Sequence, residues 1–470
     1  MNADQHLEIR KELDQFECRA VRQHLAQPVD EDRLHALRYV LSFARMTLLR
    51  KSDGEDSPVG EALSPHRWRV IEATRPFLGS DDKVDLEGAL RVLPTLQKAT
   101  IGQRGRLLDA GLADRDSLEA EVTQRQLVLV SGGGGGGGYG YPGVFKAMHR
   151  AGLQPQLMAG TSIGAIMSLF RSRYQVFDLA PMVSCAERLT WNTVFRVLNI
   201  ENRYGLPATL RLYLRSALGS FFERPNGHPM TFDDLEVPLL VVATGLTVNA
   251  MKHDLNYYEH FLDDAIEPGG FYRRSRLRRI ARLIQIFREF MAEPSAMREV
   301  VFGRDDVTMG MDVLDAVGFS CAVPGLIHYD VLREDGRMTH LLDLLYAEYG
   351  ITRLTDGGLT NNVPARPAYE EVMNGRITRR NPFLVGLDCF SPRRASLIFY
   401  PLQTAVRPNV RANRAFLNLY MPLERRLPAL NLVPGVERAM TAMIWSQEQV
   451  EPDIPWIQMM CTPIPVLTGS

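Results

Sequence analysis

Apolar positions follow two regimes along the chain. Up to about residue 125 they recur at helical spacing. Between Asp30 and Lys51, for example, Leu34, Leu37, Val40, Leu41, Phe43 and Leu48 mark one face. Acids open that stretch and basic residues close it, as a helix dipole favours. A polar segment, SDGEDSPVGEALSP, reads as a loop, and further helix ends with DRDSLEAEVTQRQ. From Gln126 short apolar runs alternate with helical stretches. Strands are predicted at Leu127–Val130, Leu157–Ala159, Leu239–Ala243 and Phe383–Leu387, an α/β pattern with a mainly parallel sheet. Past about residue 392 the chain is irregular, contains prolines and gives mixed helix signals. The expected organisation is a helical N-terminal region (1–125), an α/β unit (126–392) and a mixed or helical C-terminal extension (393–470).

Composition changes this picture little. A chain of 470 residues is long enough for two or three structural units. Its net charge of −1 gives no argument for a nucleic-acid partner. The five cysteines are scattered, without CxxC spacing, which fits reduced thiols and offers no metal site. The N-terminus has no apolar core of a Sec-type signal, and the longest apolar stretch, Val237–Val248, is too short for a spanning helix. A cytoplasmic or peripheral membrane protein is expected, with export by a non-Sec route left open. No metal or other cofactor is called for.

The candidate chemistry begins behind the first strand. The run LVLVSGGGGGGGYGYPGVFKAM, from Leu127 to Met148, holds seven consecutive glycines, Gly132 to Gly138. A flexible linker is one reading. The other is an anion site, because strand, glycine loop and helix N-terminus direct free N–H groups and a dipole at one spot. A Walker A loop is excluded, since the run ends in Tyr139 rather than Gly-Lys-[Ser/Thr]. A dinucleotide fingerprint fails too, since no acid follows about twenty residues on.

The second stretch, LMAGTSIGAIMSLFRS, contains Gly160-Thr161-Ser162-Ile163-Gly164 between an apolar strand and a helical pattern. G-x-S-x-G there suits a nucleophile elbow, and an ordinary turn is the alternative. A serine nucleophile needs a base. None of the ten histidines lies beyond residue 340, and His340 itself sits in a solvent-facing segment. Asp356, in LTDGGLTNNVPARPA, is the better partner: a carboxylate that takes the hydroxyl proton without histidine. Asp followed by Gly357 and Gly358 is otherwise read as a turn.

Glycine-rich loop, G-x-S-x-G and DGGLTNNVP in this order resemble the patatin-like phospholipase family. TFDDLEVPLLVVATGL (Thr231–Leu246) and SCAVPGL (Ser320–Leu326) resemble its interior segments, so the similarity covers about residues 126–392. The YGYPGV ending and the separation of Ser162 from Asp356 look closer to long bacterial, effector-type members than to plant storage patatins. The resemblance implies a three-layer α/β fold and a Ser–Asp dyad of Ser162 and Asp356. It also implies an oxyanion hole from the backbone N–H groups of Gly133, Gly134, Gly135 and Gly136, with Gly160, Gly164, Gly357 and Gly358 as motif positions. The expected activity is hydrolysis of carboxylic esters in a phospholipid or lysophospholipid. An acyltransferase on the same fold and a non-catalytic lipid- or protein-binding module are the alternatives.

One departure stands out. The family's loop resembles G-G-G-x-[Arg/Lys]-G, and here the basic position falls on Gly136 or Gly137, depending on the anchor. Lys146 and Arg150 are candidates to compensate. The added glycines predict a loose loop, ordered by a membrane or by an activating protein partner. Finally, Phe271–Met291 carries seven arginines and one acid over apolar residues at spacings of three and four. It reads either as a basic amphipathic helix for an anionic membrane, with Arg274, Arg278 and Arg282 as contacts, or as an ordinary surface helix.

Overall fold

The computed structural model describes residues 1–79, 83–196, 203–206, 208–247, 294–331, 333–392 and 400–468. Its centre is a seven-stranded sheet. Six strands lie in the order Arg353–Asp356, Leu239–Leu246, Leu157–Thr161, Gln126–Ser131, Pro382–Asp388 and Leu419–Pro422, and Met297–Phe302 pairs with Leu239–Leu246. The pairings from Leu239–Leu246 across to Leu419–Pro422 are parallel, whereas Arg353–Asp356 and Met297–Phe302 run antiparallel to Leu239–Leu246.

Side chains alternate between the two faces of a strand, and here both faces are covered. Leu127, Leu129, Met158, Leu239 and Val241 pack with Tyr141, Val144, Phe145 and Leu169 of the helices Tyr141–Arg150 and Ile163–Ser172. Val128, Val130, Leu157, Leu240 and Val242 pack instead with Ala365, Ala368 and Val372 of the helix Ala365–Met373. This is the three-layer α/β arrangement read from the sequence. Each predicted strand is present, two or three residues longer than its apolar run.

The N-terminal region folds around its own core, including Leu34, Val40, Phe43, Leu90 and Leu118. The helix predicted to reach Lys51 ends at Ala44. Beyond it, Leu49–Arg50 pairs with Asp56–Ser57 inside the stretch read as loop. This unit is bolted to the sheet by buried charge. Glu17 meets Arg38, Arg45 and Arg125, and Arg125 also pairs with Asp14 at 2.7 Å. Arg45 and Arg10 hydrogen-bond Asn381. Residues 125 and 381 immediately precede the strands Gln126–Ser131 and Pro382–Asp388, so the contact lies at the strand starts.

Of residues 393–470, expected as an extension, the described ones, 400–468, reach both the central sheet and the N-terminal core. Leu419–Pro422 is a strand of the central sheet. The helix Val436–Val450 packs on the helix Tyr141–Arg150, and Ile464 and Leu467 enter the N-terminal core. Irregular, proline-containing sequence carried no period from which those contacts could be read.

Candidate active site

Two strands meet end to end along one edge of Leu239–Leu246. Met158 to Thr161 pair in parallel with Leu239 to Val242, and Asp356 to Arg353 pair antiparallel with Ala243 to Leu246. Thr161 and Asp356 therefore oppose consecutive residues, Val242 and Ala243. Ser162 follows at once, so residues far apart in sequence meet over a single strand.

Ser162 has φ 54° and ψ −127°, and among the described residues it alone takes positive φ without being glycine. Such a conformation stores strain and is held by its surroundings. A Cβ on Gly160 would stand 2.7 Å from the Ala165 nitrogen, and one on Gly164 would stand 2.1 Å from the Ser131 carbonyl oxygen. Both motif glycines are thus required by close backbone approach. The Ser162 N–H donates to Ser320 Oγ at 2.8 Å, and that hydroxyl donates to the Val242 carbonyl at 2.5 Å.

Asp356 is fixed just as locally. Its N–H donates to the Ala322 carbonyl at 2.9 Å, its carbonyl accepts from Thr244 Oγ1 at 2.9 Å, and its Oδ1 accepts from the Gly358 N–H at 2.8 Å. Oδ2 is buried and has no protein hydrogen bond of normal geometry. Burial raises the carboxyl pKa to about 6, while the nearby Ser162 hydroxyl and the Gly358 N–H favour the ionised form. Gly357 is needed because a Cβ there would lie 2.1 Å from the Val242 oxygen. Sequence reasoning left Ser320 and Ala322 without a role, although both lie in the quoted segment SCAVPGL.

The glycine run is a packed turn, not a loose loop. After Gly132 to Gly134 it winds into a 3-10 turn over Gly135–Gly140, which leads into the helix Tyr141–Arg150. The buried Tyr141 hydroxyl donates to the Gly132 carbonyl at 2.8 Å. The four expected oxyanion donors differ in their hydrogen bonding. The Gly133 N–H is committed to the Asn362 carbonyl at 3.1 Å, and the Gly136 N–H to the Ala429 carbonyl at 3.0 Å. The N–H groups of Gly134 and Gly135 have no hydrogen-bond partner among the described residues. Gly133 nonetheless sets the distance of the turn, since a Cβ there would lie 3.1 Å from Ser162 Cβ.

Why glycine fills the run follows from what covers it. Added Cβ atoms would stand 2.2 Å from the Ala429 oxygen at Gly135, 2.4 Å from the Pro428 oxygen at Gly136 and 2.9 Å from the Cys389 oxygen at Gly137. At Gly140 and Gly143 they would meet Ser446 Oγ and the Met443 oxygen, at 2.2 and 2.0 Å. C-terminal backbone occupies the space that a basic side chain at Gly136 or Gly137 would need. The expectation of a loop ordered only by a membrane or partner is corrected on the same ground. Lys146 is half-buried and Arg150 exposed on the following helix. The cation beside the turn is Arg426, whose Cδ lies 3.4 Å from the Gly137 Cβ position and whose guanidinium donates to Ser391 Oγ and the Leu423 carbonyl.

Ser162, Asp356, Gly134 and Gly135 all line one cavity of about 240 Å3. Its walls are apolar: Met182 and Cys185 from the helix Ala180–Arg188, Phe195, Leu212 and Leu218 beyond it, and Leu430, Leu432 and Met440 from the C-terminal segment. Among the described residues no Lys, Arg or His lines it. His340 is exposed on the helix Gly336–Tyr349. Arg274, Arg278 and Arg282 lie outside the described residues. Among the described residues no helix is long and apolar enough to cross a membrane, and no acid, His and Cys cluster is arranged to hold a metal ion.

A largely parallel sheet with a strained serine at a strand-to-helix turn, beside a glycine turn and an apolar chamber, defines an α/β protein of the acyl-hydrolase kind. The family model for patatin-like phospholipase matches residues 129–369, and the chain belongs to that family. A comparison with curated proteins returned no match. The matched span stops within the helix Ala365–Met373, so the C-terminal residues that cover the glycine turn lie beyond it.

Proposed function

We propose that this phospholipase-family chain hydrolyses carboxylic esters of phospholipids or lysophospholipids with Ser162 as nucleophile and Asp356 as base. The observation that carries the reading is the end-to-end meeting of two strands, which sets a buried carboxylate oxygen without a normal partner beside a strained serine. Ser162 Oγ attacks the ester carbonyl carbon as its proton passes to Asp356 Oδ2. Negative charge gathers on the carbonyl oxygen, where the N–H groups of Gly134 and Gly135 and the start of the helix Ile163–Ser172 can stabilise it. The bond to the leaving alcohol breaks, and Asp356 returns the proton to that oxygen. Water then attacks the acyl-enzyme, gives its proton to Asp356, and releases the fatty acid as Ser162 recovers its hydrogen.

The chamber suits the acyl chain, whose burial is favourable at about 0.8 kcal/mol per methylene. With no cationic side chain among its described lining residues, a phosphate group has no partner inside and remains at the mouth, towards the membrane surface. The test is fatty-acid release from mixed phospholipid vesicles by wild type, Ser162→Ala and Asp356→Asn, with and without cell lysate. Release by wild type that both substitutions abolish is expected. Release that persists in Ser162→Ala, or none from wild type under either condition, defeats the reading. Dependence on lysate would identify an activating partner.

A further inference from the structure

We infer that Leu430, Met440 and Ile444 form the face by which the chain docks on an uncharged lipid surface, an inference that rests on the chamber at Ser162 being the acyl site. These three side chains are 44%, 49% and 54% exposed, unusual for large aliphatic residues so close together. Leu430 and Met440 also line the chamber, so the same residues wall it and project into solvent at its mouth. Ile444 follows Met440 by one helical turn and extends the exposed face along the helix Val436–Val450. The fold does not need that face. The helix packs through Ala439, Ala442, Ser446 and Val450, which are buried.

The occupant follows from continuity and charge. An apolar rim joined to an apolar chamber lets a lipid chain leave a bilayer without exposing its methylenes to water. The exposed charges nearby are balanced: Glu437 and Arg438 adjoin on the helix, and Arg425 pairs with Glu448 at 2.8 Å. Docking here depends on apolar insertion, and neither anionic lipid nor low salt is required. This separates it from the Phe271–Met291 arginines, whose attraction to a surface would require both.

The probe is co-sedimentation of full-length Ser162→Ala protein with phosphatidylcholine vesicles, which reads docking without turnover. Binding is expected at low and at high salt, and it should fall at least about tenfold when Leu430→Glu, Met440→Glu and Ile444→Glu are combined. Trp68→Glu, at an exposed aromatic of the N-terminal unit, should bind as the parent does. A second measurement guards against misfolding. Ile444→Glu alone, in the otherwise wild-type chain, should hydrolyse a soluble short-chain ester within about twofold of wild type while losing most vesicle hydrolysis.

Vesicle binding unchanged by the triple substitution overturns the inference, as does binding that needs anionic lipid and vanishes in salt. An equal loss on soluble ester and vesicles in Ile444→Glu also overturns it. So does a dimer that Ile444→Glu dissociates with no effect on vesicles, since a second copy would then be the occupant. Absence of soluble-ester hydrolysis by wild type would instead count against the dyad, and sedimentation would still decide the docking face.

Discussion

Ser162 and Asp356 each hold a conformation or a charge that the fold disfavours. At φ 54° a side chain costs of the order of 1–2 kcal/mol, which Ala retains and Gly relieves. Ser162→Gly is therefore expected to be more stable than Ser162→Ala by about 1 kcal/mol in denaturant unfolding, with both inactive. For Asp356 the folded carboxyl pKa of about 6 lies above its ordinary value of 3.8. The folded state binds that proton more tightly, so the burial penalty is absent below pH 3.8 and complete above pH 6. Asp356→Asn should raise the melting temperature at pH 7 to 8, with the gain disappearing as pH falls to 4. Under the proposed mechanism Asp356 must be ionised, so kcat/KM should rise with pH through about 6 and then level off. Both residues could be singled out as candidates from sequence, because each sits in a short motif, and the fold brings the two motifs together over one strand. The N–H donors could not be assigned by spacing. Gly133 and Gly136 match the pattern as well as Gly134 and Gly135 do, and only the carbonyls of Asn362 and Ala429 tell them apart.

At the scale of elements, the strands Gln126–Ser131, Leu157–Thr161, Leu239–Leu246 and Pro382–Asp388 were legible because a strand buried on both faces reads as an unbroken apolar run, whereas Met297–Phe302, Arg353–Asp356 and Leu419–Pro422 were not read. The glycine turn was legible as a site, and its partner was not. A run of glycines looks loose until the chain that presses on it is known, and that chain arrives from residues 428–446. The turn should therefore resist the substitution that would restore the family's basic residue. Gly136→Arg would set a Cβ 2.4 Å from the Pro428 oxygen and 2.6 Å from the Asn431 oxygen, with backbone on both sides. Gly137→Arg meets the Cys389 oxygen at 2.9 Å, a milder conflict. Both should lower esterase activity, Gly136→Arg by more, and neither should gain from the added charge.

The whole molecule is tied together at the end of the sheet opposite the site. Burial alone would raise the Glu17 carboxyl pKa, but Arg45, Arg125 and Arg38 hold it down at about 2. That stabilisation is complete above the ordinary value of 4.5 and is lost as pH falls towards 2. Removing the acid leaves three buried guanidinium groups underpaired, so Glu17→Gln should cost about 3–5 kcal/mol in chemical unfolding at neutral pH. The N-terminal unit thereby braces the strands Gln126–Ser131 and Pro382–Asp388, the first of which runs into the glycine turn. Its helices were visible as a period of 3.6, whereas nothing in the sequence pattern marks Glu17, Arg38 and Arg125 as partners, because only tertiary contact brings them together.

The weaving of residues 419–467 through this architecture also fixes when the site can exist. Ser162, Asp356 and the glycine turn emerge from the ribosome well before Ala429 and the helix that hold the turn in place. At about 5–20 residues per second, the turn waits roughly 15–60 s between synthesis of residue 140 and residue 428. Even once Asp356 has been made, the nascent chain holds Ser162, Asp356 and the glycine turn without the residues that cover the turn. Whatever activity the site has is thereby withheld, by chain order alone, until residues 428–446 have been made.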